Sequence, residues 1–463
     1  MIAYPPGPPD EFGPKRLLRM SRDPLGFFTQ LRRDHGRFVH YRIGPRRVFF
    51  LADPELIQDV LVKQARSFLK DQGLESTKPL LGEGLLTSEG EFHRRQRRLA
   101  QPAFHHARIA AYGTTMVEHA ERAASRWHDG DSLQFVPEMM RLALGIVGKT
   151  LFDTDIASDA DTVARALGVA MNTFTLARVP FWRLLLYLPV PSTLRFARAR
   201  RELDEVIYRL IRGHRENGRD RGDLLSMLLL AQDVEGGTGR MTDRQLRDEA
   251  MTILLAGHET TAVALAWSFY LLSQDRAAEA ALHDELDSVL RGAPPTADDV
   301  KRLPYTEMVL SESMRLYPPA WAIGRRALEP VPLGGYELRP GDAAVMAQWV
   351  VHRDAELWPD PLRFDPLRFE PARKAQRHRF AYFPFGGGPR VCIGDGFAWL
   401  AGTLLLATLA QRWRFELIPG QRIAPLPRVT LRLKHGLQLV ARVRRPSAGH
   451  SVGQPTVGGA KGG

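Results

Sequence analysis

The sequence predicts a mainly α protein with a smaller β region, an α+β fold class. The first observation is Thr242-Asp243-Arg244-Gln245, which has the pattern of a capping box and opens a helical pattern of roughly 30 residues that ends near Ser273. The second is the amphipathic helical pattern of most of the remaining chain. The third is a pair of regions, 37–52 and 331–346, where short apolar runs alternate with glycine and proline turn signals.

The early β region predicts a hairpin followed directly by a helix. Arg37 to Tyr41 and Val48 to Ala52 are the two apolar runs, and Gly44-Pro45 is the turn between them. Asp53-Pro54 then places a capping carboxylate and a first-turn proline at the start of a helix. The later β region has the same kind of pattern in Val331-Pro332-Leu333, Gly334-Gly335, Tyr336 to Leu338 and Ala343 to Met346.

Composition indicates a large globular protein. The chain has 463 residues, 44% of them hydrophobic and 25% charged, which suffices for a sizeable core. It contains no run of eighteen or more apolar residues and no signal-peptide pattern at its amino terminus. We therefore expect a cytoplasmic protein without a membrane span.

Cys392 is the only cysteine, so it forms no internal disulfide. It stands in Phe385-Gly386-Gly387-Gly388-Pro389-Arg390-Val391-Cys392-Ile393-Gly394. Glycines allow a backbone to approach a flat, bulky group closely, and a thiolate in such a loop is a suitable iron ligand. The alternative is a small buried hydrophobic residue, the usual role of a free cysteine, but that role needs neither the glycines nor the arginine.

This segment resembles the haem-binding signature of the cytochrome P-450 family, Phe-x-x-Gly-x-Arg-x-Cys-x-Gly. Phe385, Gly388, Arg390, Cys392 and Gly394 occupy its fixed positions. The resemblance implies the cytochrome P-450 fold, with haem b between a long distal helix and the proximal cysteine loop. Cys392 would be the axial ligand of the haem iron and Arg390 would meet a haem propionate. A thiolate ligand favours cleavage of the O–O bond of bound dioxygen.

The long helix contains a second motif, Ala256-Gly257-His258-Glu259-Thr260-Thr261. The Thr260 hydroxyl can bond to the carbonyl of Ala256, four residues earlier, and help to open a groove in the helix. The motif resembles the oxygen-activating segment of the family. By that resemblance Glu259 takes the acid position and Thr260 the oxygen-side hydroxyl, and Ala256 lines the groove. The alternative is a kinked core helix; His258 is expected to point away from the haem.

A third constellation is expected to be structural. Glu312 and Arg315, three residues apart, lie on one helix face and can pair. Phe364-Asp365-Pro366-Leu367-Arg368-Phe369 follows later in the chain. The family joins such a Glu-x-x-Arg to an arginine like Arg368, and the resemblance therefore implies a buried ion network that locks the proximal loop.

Further cations are candidates for the haem propionates. The family often has Trp-x-x-x-Arg where this chain has His93 and Arg97. Arg325 falls where the family supplies another propionate partner, although neighbouring Arg326 leaves the register open by one residue. A surface basic helix is the alternative for His93 and Arg97.

Substrate contacts are expected from apolar segments. The family places them in the loop before His93, in the segment from Met171 to Leu188, in the groove near Ala256 and in the stretch Ala320-Trp321-Ala322-Ile323. Phe174, Phe181, Trp182 and Trp321 in these segments indicate a hydrophobic substrate, although aromatic residues at helical spacing are more often core. Fatty acids, terpenoids, steroids and polyketides all remain open.

The net charge of +12 favours acidic partners. Nothing in the chain resembles a nucleic-acid module, so no nucleic-acid partner is expected. The densest basic run is Arg94-Arg95-Gln96-Arg97-Arg98, which lies where the family has a proximal helix. It is either a solvated helix face or a docking patch for a small acidic electron carrier, a ferredoxin or flavodoxin with its reductase.

The predicted activity is a haem-thiolate monooxygenase of the bacterial type. It would insert one oxygen atom from dioxygen into a hydrophobic substrate, with electrons from reduced nicotinamide through separate carriers. The alternatives are a peroxygenase or isomerase that needs no electron partner, and a non-catalytic haem sensor. We expect a monomer with a proline-rich segment at 1–15, one cytochrome P-450 domain at 16–445 and a disordered tail at 446–463.

Overall fold

A computed structural model describes residues 4–9, 15–154, 160–173, 190–219, 221–231 and 240–444. Within these ranges helices predominate, as predicted. The α-helices are α1 Lys15–Arg22, α2 Pro24–His35, α3 Pro54–Gln58, α4 Gln72–Glu75, α5 Lys78–Leu81, α6 Gly90–Ala100, α7 His106–Ala124, α8 Phe135–Phe152, α9 Ala160–Thr173, α10 Pro191–Asn217, α11 Leu224–Leu230, α12 Asp243–Gln274, α13 Arg276–Leu290, α14 Pro304–Leu316, α15 Gln348–Val351, α16 Pro371–Ala375 and α17 Asp395–Arg412.

The strands are short. They are β1 Phe38–Ile43, β2 Arg46–Leu51, β3 Phe68–Lys70, β4 Ser132–Gln134, β5 Ile323–Ala327, β6 Val331–Leu333, β7 Tyr336–Leu338, β8 Ala343–Met346, β9 Trp413–Leu417, β10 Pro425–Pro427, β11 Leu431–Leu433 and β12 Gln438–Val443. A π-helical turn spans Asp59–Lys63, and a 3₁₀ turn spans Gly388–Arg390 in the cysteine loop.

The long helix α12 confirms the predicted capping box. The Gln245 backbone N–H donates to the Thr242 hydroxyl oxygen at 3.3 Å, and the Thr242 N–H donates to the Gln245 side-chain oxygen at 2.8 Å. Together they satisfy two donors that have no partner within the helix. Most α12 residues are buried, so apolar packing on several sides supports this unusual length.

The predicted early hairpin shares one sheet with β8, the last strand of the later β region, whereas β6 and β7 of that region pair separately. The strand order of the shared sheet is β1-β2-β8-β5-β3. Strands β2 and β8 pair in parallel, from Val48 opposite Ala343 to Leu51 opposite Met346. At the edge, Lys70 of β3 lies opposite Arg325 of β5. The sheet thus brings together basic residues more than 250 positions apart.

The remaining strands complete the β part. β4, β12 and β9 form a three-stranded sheet, β6 pairs with β7, and β10 pairs with β11 in an antiparallel hairpin. The Trp267 indole N–H, on α12, donates to the Leu431 carbonyl of β11 at 2.9 Å. This bond fixes the β10–β11 hairpin beside the long helix.

Two apolar clusters form the core of the described residues. The larger packs helices around α12, and the smaller packs α2 against the five-stranded sheet. Among the helices in the described ranges, none is long and apolar enough to cross a membrane. The predicted tail at 446–463, and most of the predicted proline-rich segment, lie outside the described residues.

Candidate active site

A cavity of about 1850 Å³ lies between the cysteine loop, α12, the five-stranded sheet and the β10–β11 hairpin. Cys392 lines it from the loop, and Ala256, Gly257 and Thr260 line it from α12. The structure therefore brings the two sequence motifs to one space. Its volume is above the usual range for small-molecule sites and leaves room for a cofactor together with a substrate.

The cysteine loop is shaped by glycine and by backbone hydrogen bonds. The Cys392 N–H donates to the Phe385 carbonyl at 3.0 Å, and the Val391 N–H donates to the Gly388 carbonyl at 3.0 Å. Gly388 has a φ of +67°, and a Cβ atom there would lie 1.8 Å from the Leu61 carbonyl oxygen. Gly388 is therefore needed for close packing and does not line the cavity, whereas Phe385 and Gly394 do.

The Cys392 thiol is exposed, but the space that it faces is the cavity. Protein surrounds the sulfur on its other sides, and this burial raises the pKa of the thiol. A backbone N–H of Gly394 donates to the sulfur and, like the charge of Arg97, acts in the opposite direction. Both favour the thiolate that a metal ion requires, and metal binding would release the proton.

Several cations line the cavity, among them Lys70 and Arg325 at the sheet edge and Arg390 in the loop. Burial, and next the charge of Arg390, lowers the pKa of Lys70 to about 7. Burial lowers the pKa of Arg325 to about 10 although nearby Asp71 opposes the shift. Arg390 pairs with Glu89, and the Lys70 ammonium donates to two backbone carbonyls at 2.8 and 2.9 Å, which holds both side chains in place. Such a cluster of cations fits a ligand that carries carboxylate groups, and the propionates of haem are carboxylates.

The structure also separates the two adjacent arginines of β5. Arg326 pairs with Glu75 of α4 at 3.0 Å. Arg325 is buried and donates to the neighbouring Gly324 carbonyl at 2.9 Å. Both line the cavity, but only Arg325 shares its electrostatic environment with Lys70 and Arg390. This favours Arg325 as the propionate partner.

His93 and Arg97 lie on α6, behind the loop, and are not part of the cavity wall. Arg97 Nη1 donates to the Val391 carbonyl at 2.8 Å. His93 is buried, and burial followed by the charge of Arg390 lowers the pKa of its imidazole to about 3. The ring is therefore neutral at physiological pH, and Arg97 supports the loop from outside the cavity wall.

On α12, the predicted bond within the oxygen-activating motif is present. The Thr260 hydroxyl donates to the Ala256 carbonyl at 2.6 Å. Glu259 is buried and lines the cavity, but its carboxylate accepts from Arg432 Nε at 2.5 Å and from the Thr430 hydroxyl. Both partners come from the β10–β11 hairpin, which the sequence did not connect with α12.

His258 does not line the cavity. Its side chain is buried, and burial lowers the pKa of the imidazole to about 4. It is therefore a neutral core residue. This agrees with the expectation that His258 points away from the haem.

The predicted ion network is present and buried. Arg315 Nε and Nη2 donate to the two oxygens of Glu312 at 2.6 and 2.7 Å. Arg368 Nε lies 3.3 Å from Glu312, and the Asp365 N–H donates to the same carboxylate at 3.0 Å. Arg315 also donates to the His352 carbonyl at 2.7 Å. The network therefore ties α14 to the segment that precedes the cysteine loop.

The remaining cavity wall is largely apolar. Ala320, Trp321, Ala322 and Ile323 line it, as predicted for the stretch after α14. The Trp321 indole N–H donates to the Arg428 carbonyl at 2.9 Å, which fixes the ring. Phe174, Phe181 and Trp182 lie outside the described residues.

Comparison with known proteins agrees with this geometry. The cytochrome P-450 family model matches residues 5–439. The chain belongs to the cytochrome P-450 family. Cyclooctatin synthase of Streptomyces melanosporofaciens is 43% identical over 419 residues, 89% of this chain and 90% of that protein. Pentalenene oxygenase of Streptomyces avermitilis is 37% identical over 433 residues, 92% and 95% of the two chains.

A further relative from Streptomyces melanosporofaciens, cyclooctat-9-en-7-ol 5-monooxygenase, is 38% identical over 404 residues, 87% of each chain. Among solved structures, a cytochrome P-450DA haem domain superposes with a TM-score of 0.86 at 28% identity, covering 96% of this chain and 99% of that one. The fold is therefore that of a cytochrome P-450 haem domain, and the protein is a cytochrome P-450 monooxygenase.

Membership of the cytochrome P-450 family implies haem, dioxygen, nicotinamide-derived electrons delivered by redox partners, and a hydrophobic substrate. The residues present fit the haem. Cys392 presents one sulfur to the cavity, and the cation cluster supplies partners for carboxylates. Sequence reasoning missed Lys70, Thr430 and Arg432. The capping and spacing rules that located the other residues are local, whereas these three are placed by strand register and by hairpin docking.

Proposed function

We propose that this cytochrome P-450 uses haem b to insert one oxygen atom into a cyclic terpenoid. The observation that carries the proposal is the largely apolar cavity that Cys392 shares with the Ala256 to Thr260 segment of α12. The names of two relatives contain the compounds cyclooctat-9-en-7-ol and pentalenene. These names support a carbocyclic substrate for this protein as well. An apolar wall suits such a skeleton because its burial releases water from both surfaces.

Cys392 would hold the iron, while Lys70, Arg325 and Arg390 would hold the propionates. When bound, haem supplies the iron at which dioxygen binds and is activated. The Gly394 N–H directed at the sulfur tunes the electron density that the thiolate donates. Arg97 fixes the loop through the Val391 carbonyl.

Glu259 and Thr260 would deliver protons to the oxygen side of the cavity. The Thr260 hydroxyl donates its own proton to Ala256, so its oxygen can accept a hydrogen bond from water. Glu259 is buried, but its partner Arg432 has a side chain 24% exposed. Rearrangement of this ion pair would connect Glu259 with solvent and allow its carboxylate to pick up and pass on a proton.

An acidic ferredoxin, or a flavodoxin, with its reductase would supply the electrons. Arg97 on one face of α6 contacts the cysteine loop, while Arg94 and Arg98 are exposed. A partner that binds these arginines would therefore lie close to the iron ligand. Complementary charge would increase the association rate.

We also propose that residues 16–445 form a single domain and that the protein acts as a monomer. The family match across residues 5–439 supports one continuous domain. Packing of both core clusters around the same cavity supports it further.

The test is turnover of a terpenoid panel with a ferredoxin, its reductase and reduced nicotinamide under isotopically labelled dioxygen. We expect a product with one labelled oxygen atom and substrate-dependent consumption of nicotinamide. Product formed only with added peroxide would indicate a peroxygenase. No product, despite a normal spectrum of the reduced carbon monoxide complex, would support a haem sensor instead.

A further inference from the structure

The turn of the β10–β11 hairpin, residues 428–430, lines the cavity with all three of its residues. Thr430 and Val429 are accounted for, because the Thr430 hydroxyl donates to Glu259 and Val429 is apolar. Arg428 is different. It is half-buried and brings a charged side chain to a part of the wall that also contains the apolar Trp321 and Ala322.

The backbone of Arg428 is held in place from two sides. Its carbonyl accepts from the Trp321 indole N–H at 2.9 Å, and its N–H donates to the Thr430 carbonyl at 2.9 Å. Thr430 in turn is bound to Glu259 of α12. The turn is therefore fixed relative to both the oxygen-activating helix and an aromatic residue of the wall.

In the part of the chain that the structure describes, the Arg428 side chain, in contrast, has no hydrogen-bond or salt-bridge partner. Its Nε atom is buried, and no atom in the described ranges accepts a hydrogen bond from it. Three other charged residues on the wall have partners: Arg326 pairs with Glu75, Arg390 with Glu89 and Glu259 with Arg432. A buried guanidinium nitrogen without an acceptor is costly, and water or a ligand must supply one.

Arg428 is also separate from the propionate cluster. Besides burial, the charges that shift the pKa of Lys70 include those of Arg390 and Arg325, and the charge of Arg390 also shifts the pKa of Arg325. Arg428 is not among the charges that shift either pKa. Its neighbours are instead Trp321 and the hairpin beside Glu259. The acceptor for Arg428 therefore belongs to the substrate side of the cavity.

We infer that Arg428 binds the substrate and that the substrate already carries an oxygen, as a hydroxyl, carbonyl or carboxylate, which accepts a hydrogen bond from the guanidinium. This inference rests on the proposed function and narrows its substrate class from cyclic terpenoids to oxygenated ones. It also gives the enzyme a place after a first oxidation of the hydrocarbon skeleton. A fixed polar contact at one end would orient the apolar skeleton toward the reacting centre.

The test is optical titration of the ferric, haem-loaded protein with ligands that share one carbocyclic skeleton: the hydrocarbon, its alcohol and its carboxylic acid. We expect the parent to bind the alcohol or the acid about 10- to 100-fold more tightly than the hydrocarbon, because a hydrogen bond to a charged donor discriminates by this factor. Arg428→Met should abolish that preference, while hydrocarbon affinity stays within about 3-fold of the parent. If Arg428→Lys still bound the acid but no longer bound the alcohol, the oxygen of the substrate would belong to a carboxylate.

Arg422→Met is the matched control, because Arg422 is an exposed arginine near the same hairpin that does not line the cavity. Equal oxygen preference in the parent and in Arg428→Met would overturn the inference and leave the proposed function standing. Absence of a spectral shift with every ligand, in a parent with a normal reduced carbon monoxide spectrum, would overturn the terpenoid substrate class and the inference with it. Haem content and that spectrum should be equal in all variants.

Discussion

Two glutamate–arginine pairs hold different parts of this cytochrome P-450. Glu312 and Arg315 lie three residues apart on α14, and both side chains are fully buried. Glu259 and Arg432 come from α12 and β11, and the Arg432 side chain is 24% exposed. The first pair has further donors and acceptors on several sides, whereas the second has solvent at one edge.

The difference indicates that the Glu312–Arg315 pair is fixed in position, whereas the Glu259–Arg432 pair can separate. Removing one member from Glu312–Arg315 would leave an unpaired charge in a site that water cannot reach. At Glu259, Arg432 can exchange its partner for water without leaving the surface. Burial therefore makes the first pair structural, and partial exposure makes the second suitable for proton transfer.

The largest expected effect comes from Glu312→Gln. We expect a loss of about 3–5 kcal/mol of unfolding free energy because Arg315 would remain buried and unpaired. Denaturant unfolding of the haem-loaded protein measures it. Glu83→Gln is the control, because the 52% exposed Glu83 pairs with the 38% exposed Lys78 and should cost less than about 1 kcal/mol. Equal losses of unfolding free energy in the two variants would contradict a structural role for the buried Glu312–Arg315 pair.

In the Glu259–Arg432 pair, the corresponding substitution Glu259→Gln should leave the fold intact and reduce turnover. We expect an unchanged reduced carbon monoxide spectrum and a rate of substrate oxidation about 100-fold lower, since a positioned acid or base contributes by this order. The assay is product formation with saturating redox partner. An undiminished rate would exclude Glu259 from proton delivery.

Thr260→Ala separates the hydroxyl from the carboxylate on α12. We expect normal haem binding and roughly 10-fold more peroxide per electron consumed, because the water that would carry protons into the cavity would lose the hydroxyl oxygen that positions it. Thr252→Ala is a close control, since Thr252 makes the same bond to a carbonyl four residues earlier, 2.7 Å to Asp248, but does not line the cavity. If both variants released equal peroxide, a general effect on α12 would explain the result.

A third buried pair, His214 and Asp223, should respond to pH. Burial opposes the charge on His214, but the Asp223 carboxylate, 3.3 Å from its Nε2, and the Leu210 carbonyl prevail and raise the pKa of His214. Its stabilisation is fully present below the unfolded pKa of about 6.5 and is lost as the pH rises through the folded pKa. Burial opposes ionisation of Asp223, yet the nearby His214 and the hydrogen bonds from Ser226 lower the pKa of Asp223, so its stabilisation is lost only in acid.

We therefore expect the Tm difference between the parent and His214→Gln to be largest between about pH 4 and 6.5 and to shrink at higher pH. Thermal unfolding across the pH range checks this prediction. A difference that increases from pH 6 to pH 8 would contradict it.

The smallest expected effect concerns the surface of α6. Reversing Arg94 and Arg98 to Glu should slow reduction by an acidic ferredoxin several-fold at low salt and less at high salt, because exposed charges are screened. Stopped-flow reduction measures the rate. The control reverses Arg195 and Arg201, two exposed arginines on α10, to Glu. An equal slowing there would point to net charge rather than to a docking patch.

Several contacts were predictable because they are local. The capping box of α12, the Thr260 bond to Ala256 and the pairing of Glu312 with Arg315 follow from spacings of three or four residues. The cysteine motif likewise occupies ten consecutive residues. Arg325 could be located only to within one residue, because neighbouring positions on a strand face opposite sides and the sequence leaves the register open.

By itself, the sequence determined the fold class, the cysteine ligand loop, the motif on α12 and the residues of the Glu312 network. Only the tertiary structure placed Lys70 opposite Arg325, Arg432 against Glu259 and Arg428 in the cavity wall. The physical reason is that helix geometry relates residues a few positions apart, whereas strand pairing and hairpin docking relate residues far apart in the chain. Those contacts depend on how whole elements pack, and no short pattern encodes them.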